Sequence, residues 1–176
     1  GDGGPCLFKP DNEAILLGST DTRGVSRSTD SGKTYGANVL TYLGSLSTPH
    51  DDRTSFMSPI AVGKANTNQW YAGSDNIHIS TNAGSTFTNS GVPGTAYIEA
   101  LHKPAVSIGV SDLNANKLYI SVSPFSQNTS TYGLYYNPPA NIRKSINGGT
   151  SFTTATGTLP DRIFTDIAIS ATNDDS

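Results

Sequence analysis

Acidic side chains are the groups in this chain best suited to proton transfer, and nearly all of them are aspartates. Glutamate occurs only at Glu13 and Glu99. Asp51 and Asp52 are adjacent and lie between a histidine and an arginine, on a long polar stretch. A like-charged pair beside His50 could tune a general acid, or it could bind a hard cation. The plainer interpretation is a solvated loop with locally balanced charges, because neighbouring aspartates need not point the same way.

A third acid, Asp75, stands beside a glycine-containing turn at the predicted end of a strand. We take Asp51, Asp52 and Asp75 as the candidates for catalysis, and the other aspartates considered are Asp2, Asp21, Asp112, Asp161 and Asp166. The sequence has no nucleophile triad, zinc-ligand spacing, phosphate loop or dinucleotide-binding pattern. We therefore predict neither a cofactor nor a metal.

Aromatic residues supply the candidates for binding. The stretch 124–141 carries three tyrosines and two adjacent prolines, and exposed rings on a loop can stack on a sugar or a peptide. The alternative is that these rings cover the edge of a hydrophobic core. The binding candidates, which include two residues of the stretch 36–55, are Tyr42, His50, Tyr132, Tyr135 and Tyr136.

The composition shows what kind of scaffold must position these groups. Ser, Thr, Asn, Gly and Pro make up 85 of the 176 residues, and these types favour caps and turns over helix interiors. Eight Tyr, six Phe and one Trp supply enough apolar area for a core, which argues against disorder.

The net charge is −3 and the basic residues are scattered, so the sequence predicts no nucleic-acid binding. No apolar run approaches the length of a membrane span, and we predict no membrane insertion.

Three octapeptides, at 28–35, 80–87 and 145–152, align without gaps as Ser-x-Asp/Asn-x-Gly-x-Thr/Ser-aromatic. The third residue can accept hydrogen bonds from turn N–H groups, and the glycine can adopt a positive φ, so each octapeptide predicts a tight hairpin. The residues assigned to this motif are Ser28, Asp30, Gly32, Tyr35, Ser80, Asn82, Gly84, Phe87, Ser145, Asn147, Gly149 and Phe152.

Two apolar stretches separated by a polar turn precede each octapeptide, at 5–8 and 14–18, at 58–62 and 69–73, and at 106–110 and 117–121. Each repeat therefore predicts a four-stranded antiparallel meander, which is the content of one propeller blade. The expected units are about 1–48, 49–94 and 95–158, with a fourth beginning at 159–176 and its first strand at 164–169. Insertions at 36–55 and 124–141 account for the long spacing between octapeptides.

The octapeptides resemble the Asp-box (BNR) repeat of sialidases, xyloglucan-active glycoside hydrolases and sortilin-type receptors. The glycine-rich start at 1–4 and the segment 27–35 are especially similar to secreted bacterial members. Two departures are visible: Asn82 and Asn147 replace the usual Asp, and Tyr or Phe replaces the usual Trp at the end of each octapeptide. The resemblance implies an all-β fold: a β-propeller segment of about three four-stranded blades plus the start of a fourth.

The resemblance also implies a secreted or cell-surface protein. Because glutamate is scarce and no catalytic motif is visible, the sequence favours a non-catalytic module that binds carbohydrate or protein. The alternative is part of a glycoside hydrolase whose active-site carboxylates are shared with other blades. The expected partners are the remaining blades of the same propeller or, as a second possibility, other copies of the chain.

Strand alternation gives a predicted core. The residues expected in or beside it are Leu16, Ile60, Val62, Tyr71, Ile108, Val110, Tyr119 and Ile167, with Phe87 and Phe152 covering blade edges. The single cysteine, Cys6, is expected to be a small buried residue next to Leu7 and Phe8.

Overall fold

Short antiparallel strands make up nearly all the regular structure of this chain. The computed structural model describes residues 3–20, 24–40, 54–55, 57–89, 103–127, 134–136 and 139–175. The strands in these ranges are β1 (Gly3–Lys9), β2 (Asn12–Thr20), β3 (Val25–Ser28), β4 (Ile60–Val62), β5 (Trp70–Gly73), β6 (Ile77–Ser80), β7 (Thr88–Asn89), β8 (Ala105–Val110), β9 (Leu118–Val122), β10 (Phe125–Gln127), β11 (Leu134–Tyr136), β12 (Asn141–Ser145) and β13 (Thr153–Thr154). One 3-10 turn, Lys64–Asn66, lies between β4 and β5. None of the described residues belongs to a helix long and apolar enough to cross a membrane.

The strands pair as three consecutive meanders, which we call blades. Blade 1 contains β1-β2-β3, blade 2 contains β4-β5-β6-β7, and blade 3 contains β8-β9-β12-β13 in that spatial order. The first strands of neighbouring blades contact one another, β1 with β4 and β4 with β8, and so lie innermost. This arrangement confirms the predicted all-β propeller segment.

Blade 1 differs from the prediction at its fourth strand. After the octapeptide, the chain makes one isolated antiparallel bridge, between Ser26 and Asn38. Two further backbone bonds hold it beside β3, from Gly36 to Arg27 and from Val39 to Val25. The fourth strand is therefore reduced to a short paired stretch.

Two hydrophobic clusters lie between the blades. The cluster between blades 1 and 2 is built around Leu17, Ile60, Trp70 and Phe87. The cluster between blades 2 and 3 is built around Tyr71, Ile77, Ile108, Leu118 and Ile120. Strand alternation explains both, because successive side chains point to opposite faces of a sheet and both faces of blade 2 are covered.

The predicted core is largely confirmed. Leu16, Ile60, Tyr71 and Ile108 are buried, while Val62, Val110 and Phe152 are partly buried and pack against the clusters. Phe87 is buried more deeply than an edge position would be, at 4% exposure. Tyr119 and Ile167 are half-buried.

Cys6 is a correction, because its side chain is exposed and not buried. Phe8, on the same face of β1, is also exposed. Apolar neighbours in sequence do not bury a strand residue when its face of the sheet has nothing packed against it.

The predicted first strand of the fourth unit, at 164–169, is not formed. Residues 164–169 have no ladder pairing, although they lie along β8. Ser107 donates a hydrogen bond to Asp166 across 3.1 Å, and Ile167 packs on Gly109.

Of the two predicted insertions, that at 124–141 lies between β9 and β12 and contains the small hairpin β10-β11. Most of the insertion at 36–55 lies outside the described residues.

Candidate binding face

The three octapeptides form near-identical hairpins around a buried serine. Ser28, Ser80 and Ser145 are each 1% exposed. In every case, the serine hydroxyl accepts the N–H of the glycine four residues later across 2.9 Å. The same hydroxyl donates to the side-chain oxygen of the Asp or Asn at the third octapeptide position. One hydroxyl thus satisfies groups on both arms of the turn, which explains why serine opens the motif.

The third position tolerates both Asp and Asn because its partner is a hydroxyl. Asp30 accepts the backbone N–H and the hydroxyl of Thr34, at 2.9 and 2.6 Å. Asn82 accepts the N–H of Thr86 but donates its own amide to the Thr86 hydroxyl, at 3.0 and 2.9 Å. A hydroxyl can be donor or acceptor, so either residue completes the same turn. The Thr34 bonds, followed by that from Ser28, lower the pKa of Asp30 to about 2.

The predicted positive φ is confirmed at all three glycines, with values of 85°, 73° and 85° at Gly32, Gly84 and Gly149. The residue before each glycine also has a positive φ: 61° at Ser31, 56° at Ala83 and 69° at Gly148. Two consecutive positive φ values match the type I′ turns that suit the twist of a β-hairpin. The sequence pattern does not indicate this second position.

The octapeptides share one end of the blades with the turns between first and second strands, and we call this end the octapeptide face. Polar bridges join successive blades there. Lys9 and Asp11 of blade 1 both contact the hydroxyl of Thr67 in blade 2, at 3.0 and 2.9 Å. Lys64 of blade 2 then pairs with Asp112 of blade 3 at 3.1 Å.

The same bridging continues beyond blade 3, where Lys117 pairs with Asp174 at 2.8 Å. Asp174 and Asp175 raise the pKa of Lys117 to about 12. Asp174 and Asp175 therefore contact the turn between β8 and β9 on the octapeptide face.

The opposite end, which we call the loop face, carries the connections between second and third strands and those between blades. This follows from the meander, because alternate turns of an antiparallel sheet lie at opposite ends. Backbone bonds hold these connections against strand ends, from Gly73 of β5 to Pro59 and from Ala105 of β8 to Ser74. The predicted insertion at 124–141, which follows β9, therefore belongs to this end.

The base of the insertion at 124–141 is fixed on both sides. Ser123 donates its N–H to Pro104, and Ala140 donates its N–H to the Asp161 carboxylate at 2.8 Å. Lys103, which is 1% exposed, donates to the carbonyl of Pro139 at 3.0 Å. The hairpin β10-β11 thus starts from anchored ends, with Tyr135 and Tyr136 in β11 paired to Ser126 and Phe125.

Asp75 lies in the turn between β5 and β6, on the loop face, and is fully buried. The amide of Asn76 donates to its carboxylate at 3.0 Å. Nearby, the buried Ser74 hydroxyl and His78 Nε2 lie 3.2 Å apart. This buried polar turn does not line the cavity described next.

A cavity of about 650 Å³ runs along the innermost strands. Its walls come from β1, β4, β8 and residues 165–166, and they are mainly apolar, with Leu7, Ile60 and Ile108 among them. Asp166 is the one carboxylate among the described residues that line it. Its place was foreseeable from its position in the predicted first strand of the fourth unit. Met57, which also lines the cavity, carried no signal in the sequence.

Five of the predicted site residues, Tyr42, His50, Asp51, Asp52 and Tyr132, lie outside the described residues. Of the catalytic and binding candidates, the structure places Asp75, Tyr135 and Tyr136, all in connections of the loop face. Among the described residues, no three potential metal-binding side chains come together.

Comparison with solved structures finds proteins of similar fold. An ancestral GH74 enzyme matches 88% of this chain at 23% identity with a TM-score of 0.60. A GH74 enzyme from Niastella koreensis matches 88% at 14% identity (TM-score 0.46), and a GH74 xyloglucanase from Xanthomonas campestris matches 98% at 13% identity (TM-score 0.48).

The chain spans only 18%, 24% and 34% of the lengths of these three proteins. No protein-family pattern matches the chain, and no curated protein does. The strand order and the likeness to the ancestral enzyme together establish that the chain is a segment with the β-propeller fold.

Proposed function

We propose that this chain is part of a secreted, carbohydrate-active β-propeller and that the whole protein is a glycoside hydrolase acting at the loop face. The observation that carries the proposal is the placement of the insertion at 124–141, whose base is anchored at Ser123 and Ala140 on the loop face, together with the cavity along the innermost strands. Loops placed on a rigid scaffold are where binding and catalytic groups concentrate. The likeness to an enzyme described as GH74 supports the same class.

Chain order assigns the acids to the two ends. Asp11, Asp30 and Asp112 belong to turns of the octapeptide face, where each is engaged in bonds that hold turns together. In the sequence, Asp21 stands between β2 and β3, and Asp51 and Asp52 stand between blades 1 and 2, while Asp75 lies on the loop face. A glycosidase needs two carboxyl groups about 5–10 Å apart across the sugar. Asp51, Asp52 and Asp75 remain our predicted candidates to supply one or both.

A second candidate function is binding of carbohydrate or protein without catalysis. It is favoured by the single carboxylate, Asp166, among the described residues of the cavity wall, and by the complete burial of Asp75. Under this reading, the aromatic residues Tyr42, Tyr132, Tyr135 and Tyr136, together with His50, would contact the ligand.

The experiment is a hydrolysis assay on the protein at its natural full length, with xyloglucan, mixed-linkage β-glucan and sialosides as substrates. Asp21→Asn, Asp51→Asn, Asp52→Asn and Asp75→Asn are compared with Asp112→Asn as the control on the octapeptide face. We expect one of these four variants to lose at least about 100-fold in turnover while the control keeps it. Binding without turnover in the unsubstituted protein would favour the second function, and neither binding nor turnover would refute both.

A further inference from the structure

The third octapeptide contains an asparagine followed by a glycine, Asn147 and Gly148, and no other asparagine of the chain is followed by glycine. Such a pair is prone to lose its side-chain amide, because glycine has no Cβ to hinder the approach of its backbone nitrogen to the asparagine side chain. At the equivalent position, the Asn82 of blade 2 is followed by Ala83. Of the two octapeptides with asparagine, only that of blade 3 therefore has the reactive pair.

The reaction needs only water and the two residues. The Gly148 nitrogen attacks Cγ of Asn147, so that an N–Cγ bond forms and the Cγ–Nδ2 bond breaks. The proton of the Gly148 N–H passes to the departing nitrogen, which leaves as ammonia. Water then opens the cyclic imide at one carbonyl to give aspartate, or at the other to give isoaspartate, in which the main chain runs through the side-chain carbon.

The closed hairpin of 145–152 holds the attacking nitrogen away from this reaction. Gly148 is buried, and its N–H donates to the carbonyl of Asn116 at 2.8 Å. That bond has to break before the nitrogen can lose its proton and turn toward Cγ. The same bond recurs in the other blades, where Ser31 and Ala83 donate to the carbonyls of Ala14 and Asn68 at 3.1 and 2.9 Å.

The side chain of Asn147 is held as well. Its Nδ2 donates to the Ser151 hydroxyl at 2.8 Å, and its Oδ1 accepts the Ser145 hydroxyl and the Ser151 N–H at 2.9 and 3.0 Å. These bonds fix Cγ on the opposite side of the turn's hydrogen-bond network from solvent attack on the imide. Opening of the hairpin releases both reacting groups together.

We propose that Asn147 is a site of spontaneous deamidation whose rate is set by opening of the blade 3 hairpin. The modification adds one negative charge to the octapeptide face. This inference rests on the hairpin and not on the proposed hydrolase activity.

The two products differ in whether the hairpin can re-form. An aspartate suits the position, because Asp30 accepts the N–H and the hydroxyl of Thr34 in the same turn. An isoaspartate lengthens the main chain by one carbon inside a turn that the Ser145 hydroxyl bridges, from Asn147 to Gly149. We expect the first product to keep the hairpin and the second to break it.

The test follows deamidation by peptide mass spectrometry, in the protein at its natural full length and in mildly alkaline buffer. Asn82 is the internal control, because it makes equivalent bonds but precedes alanine. In guanidinium chloride, Asn147 should react faster than Asn82, and at least about 10-fold faster than Asn147 in the folded protein. Equal rates at Asn147 in the folded and unfolded protein, or equal rates at the two asparagines when unfolded, would overturn the proposal.

A matched pair of variants tests the role of hairpin opening. Ser145→Ala removes the acceptor for the N–H groups of Asn147 and Gly149, and Ser80→Ala makes the same change in blade 2. In the folded protein, Ser145→Ala should speed the reaction at Asn147 by about 10-fold, and Ser80→Ala should leave it nearly unchanged. A slower reaction in Ser145→Ala would show that the Ser145 hydroxyl activates Oδ1, and would refute control by opening. Equal acceleration by both variants, or no reaction in either, would also refute it.

The products supply an independent readout. The two product forms are separated by chromatography, and Asn147→Asp serves as the standard for the aspartate form. At neutral pH, the aspartate form should melt with the unsubstituted protein, and the isoaspartate form at least about 4 °C lower. Equal melting temperatures for the two forms would contradict the assigned role of the hairpin.

Discussion

The octapeptide face and the loop face of these blades are built on opposite plans. The octapeptide face repeats one hairpin three times, with the same serine bonds, and joins its turns by polar bridges from blade to blade. The loop face has a different connection each time: residues 21–24, 74–76 and 123–140 join second and third strands in blades 1, 2 and 3. Repeated, hydrogen-bonded turns and connections of different length therefore lie at opposite ends of the same strands.

We expect the stability of the octapeptide face to be sensitive to the addition of a single carbon atom. Gly84→Ala adds one carbon at a φ of 73° and 2.9 Å from Leu17. Backbone strain and overpacking together should lower the free energy of unfolding by about 2–4 kcal/mol. The measurement is urea unfolding at constant pH.

Gly157→Ala is the matched control for Gly84→Ala, because it has a positive φ of 58° and nothing within 4 Å of the added carbon. Its cost should be near 1 kcal/mol, from the backbone alone. Equal costs for the two variants would show that contact between blades 1 and 2 contributes nothing at the octapeptide.

A second prediction concerns the buried serine. Ser80→Ala removes the acceptor for the N–H groups of Asn82 and Gly84 and should cost about 1–3 kcal/mol. Ser85→Ala, at an exposed position of the same octapeptide, should change stability by less than about 0.5 kcal/mol. Urea unfolding of both variants tests whether the serine hydroxyl organises the turn.

A third prediction concerns the carboxylate of Asp30, which stands where the other two octapeptides have asparagine. The pKa of Asp30 is lowered to about 2, so its stabilising contribution is complete above the unfolded value near 3.8 and is lost as the pH falls through 2. Asp30→Asn should therefore flatten the loss of melting temperature between pH 4 and pH 2. At pH 6 it should be nearly neutral, since Asn82 and Asn147 form the same turn. A marked loss of stability at pH 6 would contradict the interchangeability of Asp and Asn.

The smallest effect on stability is expected at the loop face. Replacing residues 125–136 by two glycines removes β10-β11 and keeps the anchored ends at Ser123 and Ala140. Because the removed hairpin pairs only with itself among the described strands, the free energy of unfolding should change by less than about 1 kcal/mol. The same variant should weaken binding of the polysaccharide identified by the hydrolysis or binding assay. A large loss of stability would place this hairpin in the core instead.

Much of the fold could be predicted from the sequence because its signals are local. The octapeptide carries its hydrogen-bonding partners within four residues, so the hairpins at Asp30, Asn82 and Asn147 follow from the sequence alone. Strand pairs separated by a short polar turn, such as β4 and β5, are specified in the same way. The candidate site was less predictable, because no local pattern in the sequence indicates that Asp75 is fully buried.

Only the tertiary structure decided what each strand face contacts. Cys6 and Ile60 hold equivalent positions and were both expected to be buried, yet only Ile60 has a blade packed over it. Residues 164–169 have a strand-like pattern, but they form no ladder among the described residues. The turns, the strand pairing, the blade repeat and the alternation of turns between the two ends could be predicted, since these depend on neighbours along the chain. Burial and the cavity beside Asp166 depend on groups brought together from distant positions, which no local pattern encodes.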